Sequence, residues 1–247
     1  MISIFLHRSG RTETATSIDR SWLNPSAASS LWVDLAAPSI PDALILSDTF
    51  AFHRLAVEDA TSSTQPAKID VYDGYLLGVF QAADGEVSCL VGQTFLVSVH
   101  RGESKAITGL MDSIRHEGKA MAEGPVGLWH RIVDAMADSH APVLERMAAG
   151  VDAIEQRLSG KAPAALLGDI LDLRRRVFAL RQSVDAQREV VQRLVRREFV
   201  DLSAEMTYRF RDVADHLMQF VNESAALEHR LAGALTAGAG LAARRWM

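Results

Sequence analysis

The sequence predicts an α/β chain whose first half mixes strands and helices and whose second half is a set of long, coiled-coil-like helices. Three observations carry this. Up to residue 120 the apolar residues fall in short runs separated by Gly, Pro and Asp. From Pro125 onward they recur at intervals of three and four over several heptads. The 247 residues are 48% apolar and 23% charged, a globular balance that can bury a core without covalent staples.

Ile2–His7 and Leu31–Leu35 read as strands, and Pro38 and Pro41 break the chain after the second of them. Pro41–Ala60 has room for one or two short helices. Val71–Gln81, Glu86–Val91 and Thr94–His100 read as consecutive strands joined by Ala83-Asp84-Gly85 and by Gly92-Gln93, so an antiparallel meander is expected. In Ser104–His116, Ile107, Leu110, Met111 and Ile114 share a helical face, and Gly118 is the expected stop. Residues 1–120 are thus expected to form one α/β unit.

Residues 121–237 show a different period. A first stripe runs from Trp129 through Met136 and Met147 to Leu158, with a break expected at Pro142, which lacks an N–H and clashes with the preceding turn. Gly160 and Pro163 end it. A second stripe runs from Ile170 to Leu194, with Gln187 in its seam, and a third from Met206 to Leu231. Such stripes suit either a coiled-coil seam or a plain amphipathic bundle. At 1.5 Å per residue, a helix over 203–235 would be roughly 50 Å long, more than a compact domain of this size needs. A partner subunit or a further segment is therefore expected at its side or end. Residues 238–247 form an atypical tail.

Cys89 is the only cysteine, so no intramolecular disulfide forms, and a reducing, cytoplasmic setting is expected. The N-terminus lacks the apolar core of a secretory signal. The most apolar stretch, LAGALTAGAGLAA at 231–243, falls short of the about 20 residues a membrane helix needs. The net charge of −5 argues against a nucleic-acid partner. Between Arg174 and Arg211, ten Arg face five acidic residues; pairs such as Arg181–Asp185 and Glu205–Arg209 point to a solvated helix face rather than a phosphate-tracking stripe. Phe178 and Phe210 read as seam residues rather than base-stacking platforms.

No nucleophile elbow, phosphate-binding glycine loop, HExxH or paired CxxC is present, so no enzyme is expected. His100 and His130 read as structural histidines. Metal binding has more support. Glu58-Asp59 lies on a short helix, and Asp212, Asp215 and His216 fall within FRDVADH on the third long helix. Asp212 and His216 are four residues apart and so project from one face, flanking the seam. Carboxylates from two elements suit Mg²⁺, and an added imidazole makes such a site tolerant of Co²⁺, Ni²⁺ or Zn²⁺.

The stretch FHRLAVEDATSSTQPAKIDVYDGYLLGVF, residues 52–80, resembles the hallmark region of the CorA family of divalent-cation channels. There a His-x-Leu-x-x-Glu-Asp helix precedes a Gln-Arg-Pro-Lys turn and a Tyr-containing strand. The matching residues are His53, Leu55, Glu58, Asp59, Gln65, Lys68, Tyr72 and Tyr75, with Pro66 one place early in the turn. LWVDL at 31–35, FLVSVHRG at 95–102, VDAMADSH at 133–140 and YRFRDVADH at 208–216 resemble the same family in the same order, so the likeness covers residues 25–235.

The resemblance implies an α/β/α sandwich followed by a funnel of long helices, assembled as a homopentamer with this part in the cytoplasm. It implies regulatory Mg²⁺ sites between subunits. One side would come from Glu58 and Asp59, the other from Asp212 with His216 one turn on, and Asp138 corresponds best to a further acidic ligand. Emptying such sites at low Mg²⁺ would let like charges push the subunits apart and open the pore. The family's two membrane helices and Gly-Met-Asn signature have no counterpart here, and the tail from Gly233 departs from the polar approach to the pore. Its bias resembles a terminated frame or a truncated end. A sensor without its pore is thus expected, with a monomer or dimer as the alternative to the pentamer. The zinc-transporting branch of the family and a helical scaffold with no metal role are the rival readings.

Overall fold

A computed structural model describes residues 1–62, 65–117, 119–158, 165–199 and 202–244. The described strands are β1 (Ile2–Arg8), β2 (Arg11–Ala15), β3 (Ser29–Ala36), β4 (Lys68–Tyr72), β5 (Tyr75–Ala82), β6 (Gly85–Gly92) and β7 (Phe95–His100). They form one sheet in the order β2-β1-β3-β7-β6-β5-β4. β4 to β7 is the expected antiparallel meander, and β3 joins it by parallel pairing with β7.

Alternation along each strand sends side chains to opposite faces. Ile4, Leu6, Val33, Leu77 and Val97 face helices α1 (Ile40–Asp48) and α2 (Arg54–Thr61), which contribute Leu46, Ala56 and Ala60. Phe5, Trp32, Phe80 and Leu96 face the other way, against α3 (Lys105–Glu117) and α4 (Gly124–Asp138). The result is the α/β/α sandwich. α1 starts where the sequence allows it: Ser39 and Asp42 form a reciprocal capping box.

Two features differ from expectation. The run expected as one strand over Val71–Gln81 is two, because Asp73-Gly74 makes a tight turn with Gly74 at φ 80° and Tyr72 pairs directly with Tyr75. β2 has no apolar pattern to announce it. RTETA is a polar edge strand, folded onto β1 by Ser9-Gly10, both at positive φ.

α5 (Ala141–Leu158) comes after α4 across the break expected from Pro142. α6 (Ala165–Val195) and the 41-residue α7 (Ala204–Arg244) complete the long helices. Gly118, Gly160 and Pro163, the expected stops, lie outside the described residues. α7 keeps its helix through the Ala/Gly-rich tail and is roughly 60 Å long at 1.5 Å per residue. Its lower half shares the sheet's core through Phe210, Val213 and Leu217. Its upper half packs Leu227 and Leu231 against Val151 of α5 and Ile170 and Val177 of α6. Gln187, a polar residue in the α6 seam, is buried; its Oε1 accepts the Gln81 backbone N–H at 2.7 Å, and its Nε2 has no partner among the described residues. Among the described residues no helix is long and apolar enough to cross a membrane.

The basic stretch is largely paired. Glu205 meets Arg209 as expected, but Arg181 bonds Glu228 of α7 at 2.9 Å rather than Asp185, which Arg188 takes. Phe210 is buried in the seam, whereas Phe178 is 44% exposed beneath the Arg181 guanidinium.

Candidate metal centre

The site is set by how α4 crosses α7. Trp129 is fully buried, with its ring edge-to-face on Phe80 of β5 and on Phe210 of α7, the latter at 5.5 Å. This contact holds α4 between sheet and α7. One turn and two turns beyond it, Asp134 and Asp138 project from one face of α4, being four residues apart. On α7, Val213 and Leu217 point inward, and Asp212, Asp215 and His216 flank them in solvent. The two faces meet. Ligand atoms of Asp134, Asp138 and His216 all lie within 4.8 Å of one another. His216 Nδ1 is 4.0 Å from Asp138 Oδ1.

The electrostatics suit a cation. Burial raises the Asp134 pKa, and the Asp138 and Asp212 carboxylates push it the same way, against His130 and His216. Among the described residues no lysine or arginine bridges Asp134 or Asp138 (the nearby Glu123 takes both Arg131 and Arg209). A divalent ion would relieve the repulsion. Two carboxylates and an imidazole leave several coordination positions for water, which suits Mg²⁺, while the nitrogen donor admits Co²⁺, Ni²⁺ or Zn²⁺.

Asp138 and His216 are thus brought together in one chain, with Asp212 one turn before His216. Asp212 and Asp215 are both exposed and outside the cluster. Asp134 escaped the sequence reading, although its spacing from Asp138 within VDAMADSH repeats that of Asp212 and His216. Glu58 and Asp59 are elsewhere. They sit on α2, on the opposite face of the sheet from α4 and α7.

The hallmark residues around them anchor α2. Tyr75 Oη accepts the His53 N–H at 2.9 Å, and the His53, Tyr72 and Tyr75 rings stack in series. Lys68 Nζ reaches Asp59 at 2.7 Å and Asp70 at 2.9 Å. Burial alone would lower the Lys68 pKa, but these two carboxylates outweigh it and raise it. Glu58 is exposed.

Two histidines behind the site bear on acid stability. The His130 and His140 rings are buried, and burial lowers both pKa values, outweighing the backbone of Arg209 and of Gln81, which act the other way. A folded pKa below the unfolded value means that the unfolded chain binds more protons. The urea midpoint is therefore expected to fall as pH drops from about 7 to about 5, through the ordinary histidine range. The double variant His130→Phe/His140→Phe should flatten that fall; an unchanged slope would assign it to other groups.

Known proteins share both the sequence pattern and the fold. Residues 27–237 match the family model described as CorA-like Mg²⁺ transporter protein. The putative metal ion transporter YfjQ of Bacillus subtilis (strain 168) is 28% identical over 194 residues, covering 76% of this chain and 61% of its own length. The cobalt/magnesium transport protein CorA of Thermotoga maritima is 21% identical over 188 residues, covering 72% of this chain and 54% of its own. The chain therefore spans little more than half the length of these relatives. Among solved structures, the soluble domain of CorA from Methanocaldococcus jannaschii superposes with a TM-score of 0.81 at 18% identity, covering 96% of this chain and 97% of that one. The ZntB cytoplasmic domain from Vibrio parahaemolyticus gives 0.75 at 10% identity, covering 98% and 97%. At these identities the structural likeness is one of fold.

Proposed function

The chain belongs to the family of CorA-like Mg²⁺ transporter proteins, and on that premise we propose that it is the cytosolic, Mg²⁺-sensing regulatory part of a magnesium or cobalt ion channel. The observation that carries this reading is the convergence of Asp134, Asp138 and His216 from α4 and α7 without a lysine or arginine partner among the described residues. α7 is the helix long enough to convey a change at that site over tens of ångströms.

The sheet supports a shared site. Because it stands between α2 and the α4–α7 face, Glu58 and Asp59 reach Asp212 and His216 only if they belong to another copy. Two acidic faces repel until a cation lies between them, so ion binding and subunit closure favour each other. The family resemblance implies five copies. His216 leaves the zinc-transporting branch as the second reading, since an imidazole ligand suits the softer ions.

The test is light scattering after size exclusion, together with thermal unfolding, with Mg²⁺, Co²⁺ and Zn²⁺ in turn. Mg²⁺ at roughly 10–20 mM is about tenfold above a millimolar affinity, at the weak end for carboxylate sites. Binding to the folded assembly alone then adds about 1.4 kcal/mol per site, and the melting temperature should rise by about 3–5 °C. The mass should shift towards five chains. Asp59→Ala and Asp212→Ala should each abolish the increment. A mass and melting point indifferent to all three ions would support the scaffold reading instead, and a response to Zn²⁺ alone would support the zinc branch.

A further inference from the structure

A buried polar chain crosses β3 and β7, the one parallel pair among the described strands. The Trp32 indole N–H donates to Ser98 Oγ at 3.0 Å, and that hydroxyl donates to Asp34 Oδ1 at 2.6 Å. Asp34 Oδ2 lies 3.3 Å from His100 Nε2, and His100 Nδ1 lies 2.6 Å from the Gly102 carbonyl oxygen. Asp34 is 2% exposed and His100 8%. These residues belong to LWVDL and FLVSVHRG, stretches that the cation site does not use.

The two partners of the His100 ring decide its charge. A carboxylate and a carbonyl only accept. A neutral imidazole has one N–H, so it can satisfy one of them while aiming a lone pair at the other; the imidazolium donates to both. We propose that His100 is a resident imidazolium and that its deprotonation is a switch that frees the 101–104 segment and, through it, α2. The link is direct. Arg101 is next to His100 in the chain, and its guanidinium donates to the Thr61 carbonyl at the C-terminal end of α2. Releasing the ring from Gly102 or from Asp34 therefore loosens the segment from which Arg101 holds α2.

The groups around His100 favour its charge. Asp34 faces it from β3. Asp84 acts on it from the β5–β6 turn, where its carboxylate also accepts the Lys105 N–H at 2.8 Å. Glu86 of β6 and Arg101, a carboxylate and a guanidinium of opposite sign, line a cavity of about 250 Å³ with it. Burial alone would lower the His100 pKa; the Asp34 carboxylate, the Gly102 carbonyl and the Asp84 carboxylate together outweigh that and raise it. The folded chain thus holds this proton more tightly than the unfolded chain does, so its stabilisation is complete below the ordinary histidine value. It is lost as pH rises through the higher folded pKa.

The test uses the whole chain in metal-free buffer, so that failure of the cation reading leaves it intact. Imidazole ¹⁵N spectra and amide-exchange protection factors of α2 are recorded from about pH 6 to about pH 9, around the histidine range. Both His100 ring nitrogens should carry protons at neutral pH. Protection of α2 should fall about tenfold as the ring titrates, the equivalent of one charge-assisted hydrogen bond. Arg101→Ala should keep the ring charged at neutral pH while leaving α2 less protected and insensitive to pH. His100→Gln should also remove the pH step. A ring with one N–H at neutral pH overturns the proposal, as does level α2 protection in the parent or a pH step that survives in Arg101→Ala. Should His100→Gln fail to fold, the parent's ring spectrum and the Arg101→Ala exchange data decide.

Discussion

Trp129→Ala is expected to remove about 3–5 kcal/mol of stability, the range for deleting a large buried aromatic ring. Trp129 is fully buried where β5, α4 and α7 meet, against Phe80 and Phe210. A Cβ at Gly78 would come within 2.9 Å of its ring, so α4 lies as close to the sheet as a glycine permits. The neighbours are themselves large rings fixed by the sheet and by α7, which limits their collapse into the cavity. The melting temperature should drop by roughly 10 °C or more. One effect works the other way: the indole Nε1 is buried without a partner among the described residues. Trp129→Phe removes that orphan donor, which costs about 1–3 kcal/mol when buried, and should be much milder than alanine. Urea unfolding monitored by circular dichroism separates the two. Equal losses for both variants would mean that the ring's volume does not hold α4 in place. Because Asp134 and Asp138 lie on the same helix, Trp129→Ala should also diminish the Mg²⁺-dependent stabilisation proposed above.

Asp34→Ala should be similarly severe, at about 3–5 kcal/mol, because removing one partner of a buried ion pair leaves the other uncompensated. It takes the acceptor from Ser98 Oγ and the counter-charge from His100 together. Asp34→Asn keeps an oxygen for Ser98 and should lose less. The alanine variant carries its own pH signature. Once His100 is neutral the missing carboxylate matters less, so the deficit relative to the parent should shrink as pH rises. Denaturant midpoints at neutral and alkaline pH measure it, and a deficit independent of pH would mean that the Asp34 charge does not serve His100.

Much of the fold was legible because its signals are local. The meander, the short helices after Pro41, the break at Pro142 and the unusual length of the last helix all arise from period, proline and turn chemistry. The misses are equally physical. β2 is polar on both faces because it is an edge, so no alternation marks it. The Tyr72–Tyr75 turn hides inside an apolar run, where Asp73-Gly74 is the only sign. Phe178 fits the spacing of a seam but lies on the outside of α6, since spacing does not say which way a helix is rotated.

The candidate site shows the same division. Residue type and a spacing of four were enough to put Glu58 and Asp59 side by side on a short helix, and Asp212 and His216 on one face of a long one. That Asp134 and Asp138 meet His216, that Lys68 pairs with Asp59, and that the sheet separates α2 from α4 and α7 became visible in the packed chain alone. Those outcomes depend on the crossing and rotation of helices far apart in the chain. Crossing and rotation are set by the packing of Trp129, Phe210 and their neighbours, and no periodicity within one segment contains them.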